Sequence, residues 1–127
     1  MCLTMSMLRN VLIGLIAVLH LYIAWFEMFA WTSRGPAVFS TFPAELFEST
    51  VAMAANQGIY NAFLGAGLLW ALSIRDQTWR AKVALCFLIF VAIAGLVGAF
   101  TVATKILLVQ TVPALIAIAL VMLTRRA

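Results

Sequence analysis

The stretch His20-Leu-Tyr-Ile-Ala-Trp-Phe-Glu27-Met-Phe-Ala-Trp31 decides the fold, because it places a histidine and a carboxylate inside an apolar segment. On a helix that turns ~100° per residue, Glu27 returns to within ~20° of His20, and Trp31 lies near the same line. Ionisable side chains at membrane depth are costly, and they normally face a bundle interior or a wet cavity. We therefore predict a membrane helix whose polar side lines a site.

The composition predicts an integral membrane protein that is entirely α-helical. Of its 127 residues, 66% are hydrophobic and 9% are charged, whereas a soluble domain carries roughly a quarter charged residues. We expect one transmembrane domain over residues 1–127, with the lipid bilayer as its first partner. The net charge of +4 does not indicate nucleic acid, because the basic residues are scattered between apolar spans. Two distant cysteines and no metal-ligand spacing predict neither a metal site nor a cofactor.

Four membrane spans are predicted by matching ~20 residues to a ~30 Å hydrocarbon core. They cover residues 8–31, 51–74, 83–102 and 106–123, which makes a four-helix bundle with an outer loop at residues 32–50. This loop contains Gly35, Pro36 and Pro43, which favour turns. Because proline suits the first turn of a helix, a short interfacial helix is expected from Ala44.

The positions of the basic residues predict that both termini are cytoplasmic. In that orientation the outer side holds only Arg34 and Lys105, as the positive-inside rule requires. The cytoplasmic side then holds the remaining basic residues: Arg9, Arg75, Arg80, Lys82, Arg125 and Arg126.

Small residues and one proline predict how the spans pack. Rows of small residues spaced four apart let membrane helices approach closely. Pro113 lacks an amide hydrogen, so we expect a kink in the fourth span and a freed carbonyl near Val109. The predicted rows are Ala54, Gly58, Ala62 and Ala66 in the second span, and Gly95, Ala99 and Ala103 in the third.

Polar side chains in the second span are predicted to share the outer half of the membrane with the opening stretch. At ~1.5 Å per residue, Glu27 and His20 lie ~6 and ~16 Å below Trp31, and the amides of the second span fall at similar depths. The predicted ligand-binding set is His20, Glu27, Trp31, Asn56, Gln57, Tyr60, Asn61 and Gln110. His20 and Glu27 are also the candidates for a catalytic role.

A structural role is the alternative for each of these residues. Amides between membrane helices often serve only as interhelical hydrogen bonds, at ~0.6 kcal/mol each on average. Tyr60 fits an interfacial aromatic belt, although it is predicted deeper than usual, and His20 fits a satisfied core residue. Glu27 favours function more strongly, because an unpaired carboxylate is expensive at this depth.

Two motifs carry a resemblance to a known family. The first is His20-Leu-Tyr through Glu27-Met-Phe-Ala-Trp31, and the second is Ala55-Asn-Gln-Gly-Ile-Tyr-Asn-Ala-Phe-Leu-Gly-Ala-Gly-Leu-Leu-Trp70. Together they resemble the small bacterial membrane proteins called domain of unknown function 1304 (DUF1304). The resemblance implies a multi-pass bacterial membrane protein with four helices and a motif that pairs the first two spans. We expect its location to be the bacterial inner (plasma) membrane. The resemblance implies no established activity.

Three functions remain open from the sequence. The first is binding or transport of a small, partly apolar molecule in a polar pocket of the extracytoplasmic half. The second is an intramembrane acid–base enzyme, for example an isomerase of a lipophilic substrate, in which His20 and Glu27 shuttle a proton. The third is an accessory or structural subunit. Whether the chain is an enzyme, and whether it forms a homo-oligomer, stays undecided at this stage.

Overall fold

The computed structural model describes residues 2–125, so Arg126 lies outside the described part. Throughout these residues the regular structure is helical. The helices are α1 (Cys2–Phe29), α2 (Trp31–Val38), α3 (Ala44–Ser49), α4 (Val51–Ser73), α5 (Gln77–Thr101), a π-helix (Leu107–Thr111) and α6 (Val112–Thr124). The prediction of an all-α protein is confirmed.

Three helical segments are long and apolar enough to cross a membrane: Thr4–Phe29, Gln77–Thr101 and Leu107–Thr124. They coincide with the first, third and fourth predicted spans and indicate a membrane protein. Helix α4 covers the second predicted span with 23 residues, but it is not among the three. Asn56, Gln57 and Asn61 lower its hydropathy. A four-span bundle therefore requires α4 to cross the membrane in spite of these amides.

Two glycines bring α4 into backbone contact with α1. A Cβ atom at Gly65 would lie 2.9 Å from the carbonyl oxygen of Ala17, and one at Gly58 would lie 3.0 Å from that of Ala24. Distances this short leave no room for a methyl group. The two helices therefore run side by side at the closest separation that their backbones allow, as small-residue contacts in membranes permit.

The predicted small-residue row on α4 is correct at its start and wrong at its end. Ala54 and Gly58 are buried, but Ala66 is exposed. The buried row continues instead through Asn61 and Gly65. Residues spaced four apart are displaced by ~40° around the helix axis at each repeat. After two repeats the row therefore no longer faces a straight neighbouring helix.

The second predicted row, on α5, packs against the segment that precedes α6. Gly95 and Ala99 are buried, whereas Ala103 follows the end of α5 at Thr101. A Cβ atom at Gly95 would lie 2.5 Å from Thr111 Oγ1. The Thr111 hydroxyl donates to the Ala92 carbonyl oxygen at 3.1 Å, which fixes this segment against α5.

Before Pro113, where a kink was predicted, the structure has a π-helix. The Val112 amide donates to the Leu107 carbonyl oxygen, five residues earlier. Proline cannot donate the usual helical bond, and single π turns are a common way for a helix to absorb such a defect. Residues 107–111 are thereby wound more widely than the rest of the helix.

The predicted outer loop is largely helical and closes one end of α1 and α4. Helix α3 begins at Ala44, directly after Pro43, as predicted. Phe47 is 1% exposed, and a Cβ atom at Gly35 would lie 2.4 Å from its ring. The Trp31 indole donates to Thr50 Oγ1 at 2.9 Å. These contacts hold α2 and α3 together above the α1–α4 contact.

Candidate functional site

Glu27 and Asn61 form a hydrogen bond between α1 and α4. Asn61 Nδ2 donates to Glu27 Oε2 at 2.7 Å, and only 8% of Asn61 is exposed. Gly58 makes this possible, because a Cβ atom there would lie 3.3 Å from Glu27 Cβ. A short bond from an amide to a carboxylate is of the strong, charge-assisted kind. The structure thus brings together two of the predicted site residues.

Glu27 also lines a cavity of about 240 Å³ between α1, α2 and residues 105–110. Most of its wall is apolar, and the polar groups are few. Outside the bond from Asn61, Glu27 accepts no other side-chain hydrogen bond in residues 2–125, so Oε1 remains available. The lining residues are Leu19, Tyr22, Ile23, Phe26, Glu27, Val38, Phe39, Lys105, Ile106, Val109 and Gln110.

Lys105 and Gln110 bring polar groups to the wall opposite Glu27. The Lys105 ammonium donates to the Val38 carbonyl oxygen and lies 5.2 Å from the centre of the Phe39 ring. This position suits a cation–π contact. Glu27 is thus bound by the amide of Asn61, while Lys105 binds the end of α2.

His20 is completely buried and does not line this cavity. Its Nδ1 lies 2.8 Å from the Ile16 carbonyl oxygen. Because a carbonyl oxygen can only accept, Nδ1 carries the hydrogen in this bond. Nε2 is buried and has no hydrogen-bond partner in the described part of the chain. His20 and Glu27 are therefore on one helix but do not face a common space.

The remaining predicted residues lie elsewhere. Asn56, Gln57 and Tyr60 are exposed on α4 and do not line the cavity. Trp31 packs in an aromatic group with its ring 5.2 Å from that of Phe47. The face of α4 that meets α1 is narrower than the ~140° arc that the amides cover, so only Asn61 points inward.

Sequence reasoning missed most of the apolar wall. The spacing of Leu19, Ile23 and Phe26 (i, i+4, i+7) is typical of one helix face and could have identified them. Nothing in the sequence indicated Val38 and Phe39, because the loop that carries them was not predicted to be helical. No group of three His, Cys, Asp or Glu side chains that could hold a metal ion occurs within residues 2–125.

Comparison with known proteins places the chain in a family. Residues 14–122 match the model of the family described as protein of unknown function (DUF1304). The chain is also 33% identical, over 108 residues, to the uncharacterized protein YpaA of Lactococcus lactis subsp. lactis (strain IL1403). That match covers 84% of this chain and 89% of the relative. No solved structure matches. The chain belongs to the DUF1304 family, and the predicted resemblance is confirmed.

Proposed function

We propose that this DUF1304 protein is a four-span protein of the bacterial inner membrane that binds a small, partly apolar molecule in the cavity beside Glu27. One observation carries the proposal. A single carboxylate, held from one side by Asn61, presents its other oxygen to a largely apolar cavity of about 240 Å³. Apolar walls with a few convergent polar groups are the usual form of a small-molecule site.

The length and the partners of α4 support its membrane placement. Its 23 residues extend over ~34 Å at 1.5 Å per residue, enough for a ~30 Å hydrocarbon core. Its inward amide, Asn61, is satisfied by Glu27. Only Ile74, Arg75 and Asp76 separate α4 from α5, so the two helices are antiparallel neighbours. In the proposed arrangement both termini lie on one side, and the excess of basic residues on that side supports the cytoplasm.

The chemistry of the cavity defines the ligand class. Glu27 Oε1 calls for a hydrogen-bond donor such as an amine or hydroxyl, and the Gln110 amide offers both a donor and an acceptor. The rest of the wall, including Phe26 and Phe39, suits a short hydrocarbon body. A volume of about 240 Å³ is below the usual range of drug-sized sites, so the ligand is small. Transport would be an extension of this binding step.

The geometry favours binding over acid–base catalysis. The enzymatic hypothesis needs His20 and Glu27 to act on one substrate, but His20 is fully buried and lies outside the cavity wall. Of these two residues, only Glu27 lines the cavity. The binding proposal uses the groups that the cavity presents, and the enzymatic one does not.

Hexylamine, hexanol and hexanoate test the proposal, because they share one chain and differ in the head group. Binding to the purified protein in detergent is measured by ligand-observed NMR. We expect hexylamine to bind most tightly, and Glu27→Gln to weaken its binding about tenfold, since a hydrogen bond to a charged group is lost. Val109→Trp should abolish binding by filling the cavity from its partly exposed wall.

Glu48→Gln is the matched control, because Glu48 is an exposed carboxylate on α3 outside the cavity. Equal effects of Glu27→Gln and Glu48→Gln would contradict the proposal, as would unchanged binding in Val109→Trp.

Topology is tested separately in a chain whose Cys2 and Cys86 are serines. A membrane-impermeant maleimide applied to spheroplasts should label Glu48→Cys and leave Gln77→Cys unlabelled.

A further inference from the structure

Two arginines from different helices line one small cavity at the end of the bundle opposite the Glu27 site. Arg9 belongs to α1 and Arg80 to α5, and the space between them holds about 10 Å³. Every other lining residue is apolar: Ile13, Ala71, Leu72, Ala81, Ala84 and Val121. Among the described residues, 2–125, this cavity is therefore lined by two cations and by no acidic side chain.

The hydrogen bonds of both guanidinium groups go to neutral oxygens. Arg9 is only 6% exposed, and it donates to Asn10 Oδ1 at 3.0 Å and to Thr124 Oγ1 at 2.9 Å. Arg80 Nε donates to the Ile74 carbonyl oxygen at 2.7 Å, just beyond the end of α4. The nearby carboxylate of Asp76 accepts the Trp79 amide at 2.7 Å. In the part of the chain that the structure describes, neither arginine therefore has an anionic hydrogen-bond partner.

Two like charges around one apolar cavity call for an anion. A buried charge is costly unless an opposite charge pairs with it. The end of α4 next to Arg80 supplies only a partial negative charge. Arginine has five N–H donors in a planar fork, and Arg80 uses only Nε in the hydrogen bonds of the described residues. Its two terminal nitrogens are free to bind an oxyanion in the bidentate manner.

We propose that Arg9 and Arg80 form a site for a phosphate-type oxyanion, supplied by the head group of an anionic lipid. About 10 Å³ is the space of roughly one water-sized probe, so a single phosphate oxygen enters the cavity between the two arginines, and a second oxygen that stays outside it completes the bidentate contact with the terminal nitrogens of Arg80. The apolar lining by Ile13, Leu72 and Val121 favours a lipid over free phosphate, because a hydrated ion loses water against hydrocarbon walls and gains no contact from them. Basic pockets between membrane helices on the cytoplasmic side are known to suit such head groups.

Native mass spectrometry of the full-length protein tests this site independently of the Glu27 cavity. The protein in neutral detergent is titrated with phosphatidylglycerol, phosphatidylcholine or inorganic phosphate. We expect phosphatidylglycerol to bind in preference to phosphatidylcholine, and Arg80→Gln to reduce its affinity at least tenfold, as expected for the loss of a bidentate charged contact. The affinity of Arg80→Lys for phosphatidylglycerol should lie between those of the unsubstituted protein and Arg80→Gln, because lysine keeps the charge but not the planar fork of donors.

Arg75→Gln is the matched control, since Arg75 is an exposed cation at the same end and does not line the cavity. It should change the affinity less than threefold, well under the tenfold effect of losing a charged hydrogen bond. Equal losses in Arg75→Gln and Arg80→Gln would overturn the proposal, because they would show general surface attraction. Binding of inorganic phosphate that depends on Arg80 and excludes the lipid would support the oxyanion site and overturn the lipid as its source. Binding of phosphatidylcholine as tight as that of phosphatidylglycerol would overturn it as well.

Discussion

Replacing Asn61 with leucine tests the central contact of the candidate site. Interhelical hydrogen bonds in membranes contribute ~0.6 kcal/mol on average and ~1.7 kcal/mol at most. The Asn61–Glu27 bond belongs near the upper value, because it is 2.7 Å long, is buried and ends on a carboxylate. The contact of Asn61 with the Gln57 carbonyl oxygen is 3.4 Å long and adds little. We therefore expect Asn61→Leu to lower the free energy of unfolding by about 1.5 kcal/mol.

A double substitution separates the stability contributed by the hydrogen bond from the cost of leaving its acceptor buried without a donor. Asn61→Leu leaves the Glu27 carboxylate without its donor, whereas Asn61→Leu combined with Glu27→Leu removes both polar groups. Removing both partners of a buried bond is often nearly neutral. The double variant should therefore be more stable than Asn61→Leu alone by about 1 kcal/mol. Unfolding is followed by tryptophan fluorescence as the SDS fraction of mixed micelles is raised.

Asn56→Leu is the control, because Asn56 is an exposed amide on the same helix and should change stability by no more than about 0.5 kcal/mol. The reasoning fails if Asn61→Leu and Asn56→Leu have the same effect. It also fails if the double variant is as unstable as the sum of its two single substitutions, since independent effects would mean that the two side chains do not interact.

Three further predictions concern packing and assembly. Gly65→Ala should lower the free energy of unfolding by about 1–3 kcal/mol through overpacking. Gly14→Ala should raise it by about 0.5 kcal/mol, because a Cβ atom there would lie 3.8 Å from the nearest atom, in Leu72. Chemical unfolding measures both changes. Thr50→Val removes the acceptor of the Trp31 indole and should speed amide hydrogen exchange in α3 without changing it in α5. In the proposed four-span arrangement an exposed amide at membrane depth is best satisfied by another amide. We therefore propose that copies of the chain self-associate, and we expect Gln57→Leu, at an exposed amide of α4, to weaken this association, measured by energy transfer between labelled copies in liposomes.

Hydropathy identifies the long apolar helices better than it places their ends. The third span was predicted from residue 83, but α5 begins at Gln77. The residues in between include Arg80 and Lys82, which continue the helix beyond the apolar part. Asp76 signals the true start, because its side chain accepts the Trp79 amide as an N-cap does. A search for caps would have extended this helix, whereas a search for apolar residues could not.

Helix α2 shows the limit of treating glycine and proline as breakers. Gly35 and Pro36 lie inside it, although both residues disfavour a helix interior. The reason is tertiary: Gly35 is buried, and a side chain there would collide with the ring of Phe47. Close packing against α3 outweighs the local preference of these residues. This contact joins residues from two parts of a loop, so no local pattern could reveal it, and the cavity wall formed by Val38 and Phe39 was missed with it.

The π-helix carries Gln110 on the far wall of the cavity. The depth of Gln110 in the bundle could be predicted from the sequence, but the direction of its side chain could not. Counting residues put Gln110 in the same half of the bundle as Glu27, and the two do line one cavity. Counting residues does not give the direction of its side chain. An extra residue in a turn rotates all preceding residues by ~100° around the helix axis relative to those that follow. Pro113 marks a defect nearby, but it does not say whether the helix kinks or widens. The bond from Thr111 to Ala92 and the close approach at Gly95 hold residues 107–111 against α5. In that position Gln110 also lines the cavity beside Glu27, and these contacts with α5 are tertiary, so no local pattern could reveal them.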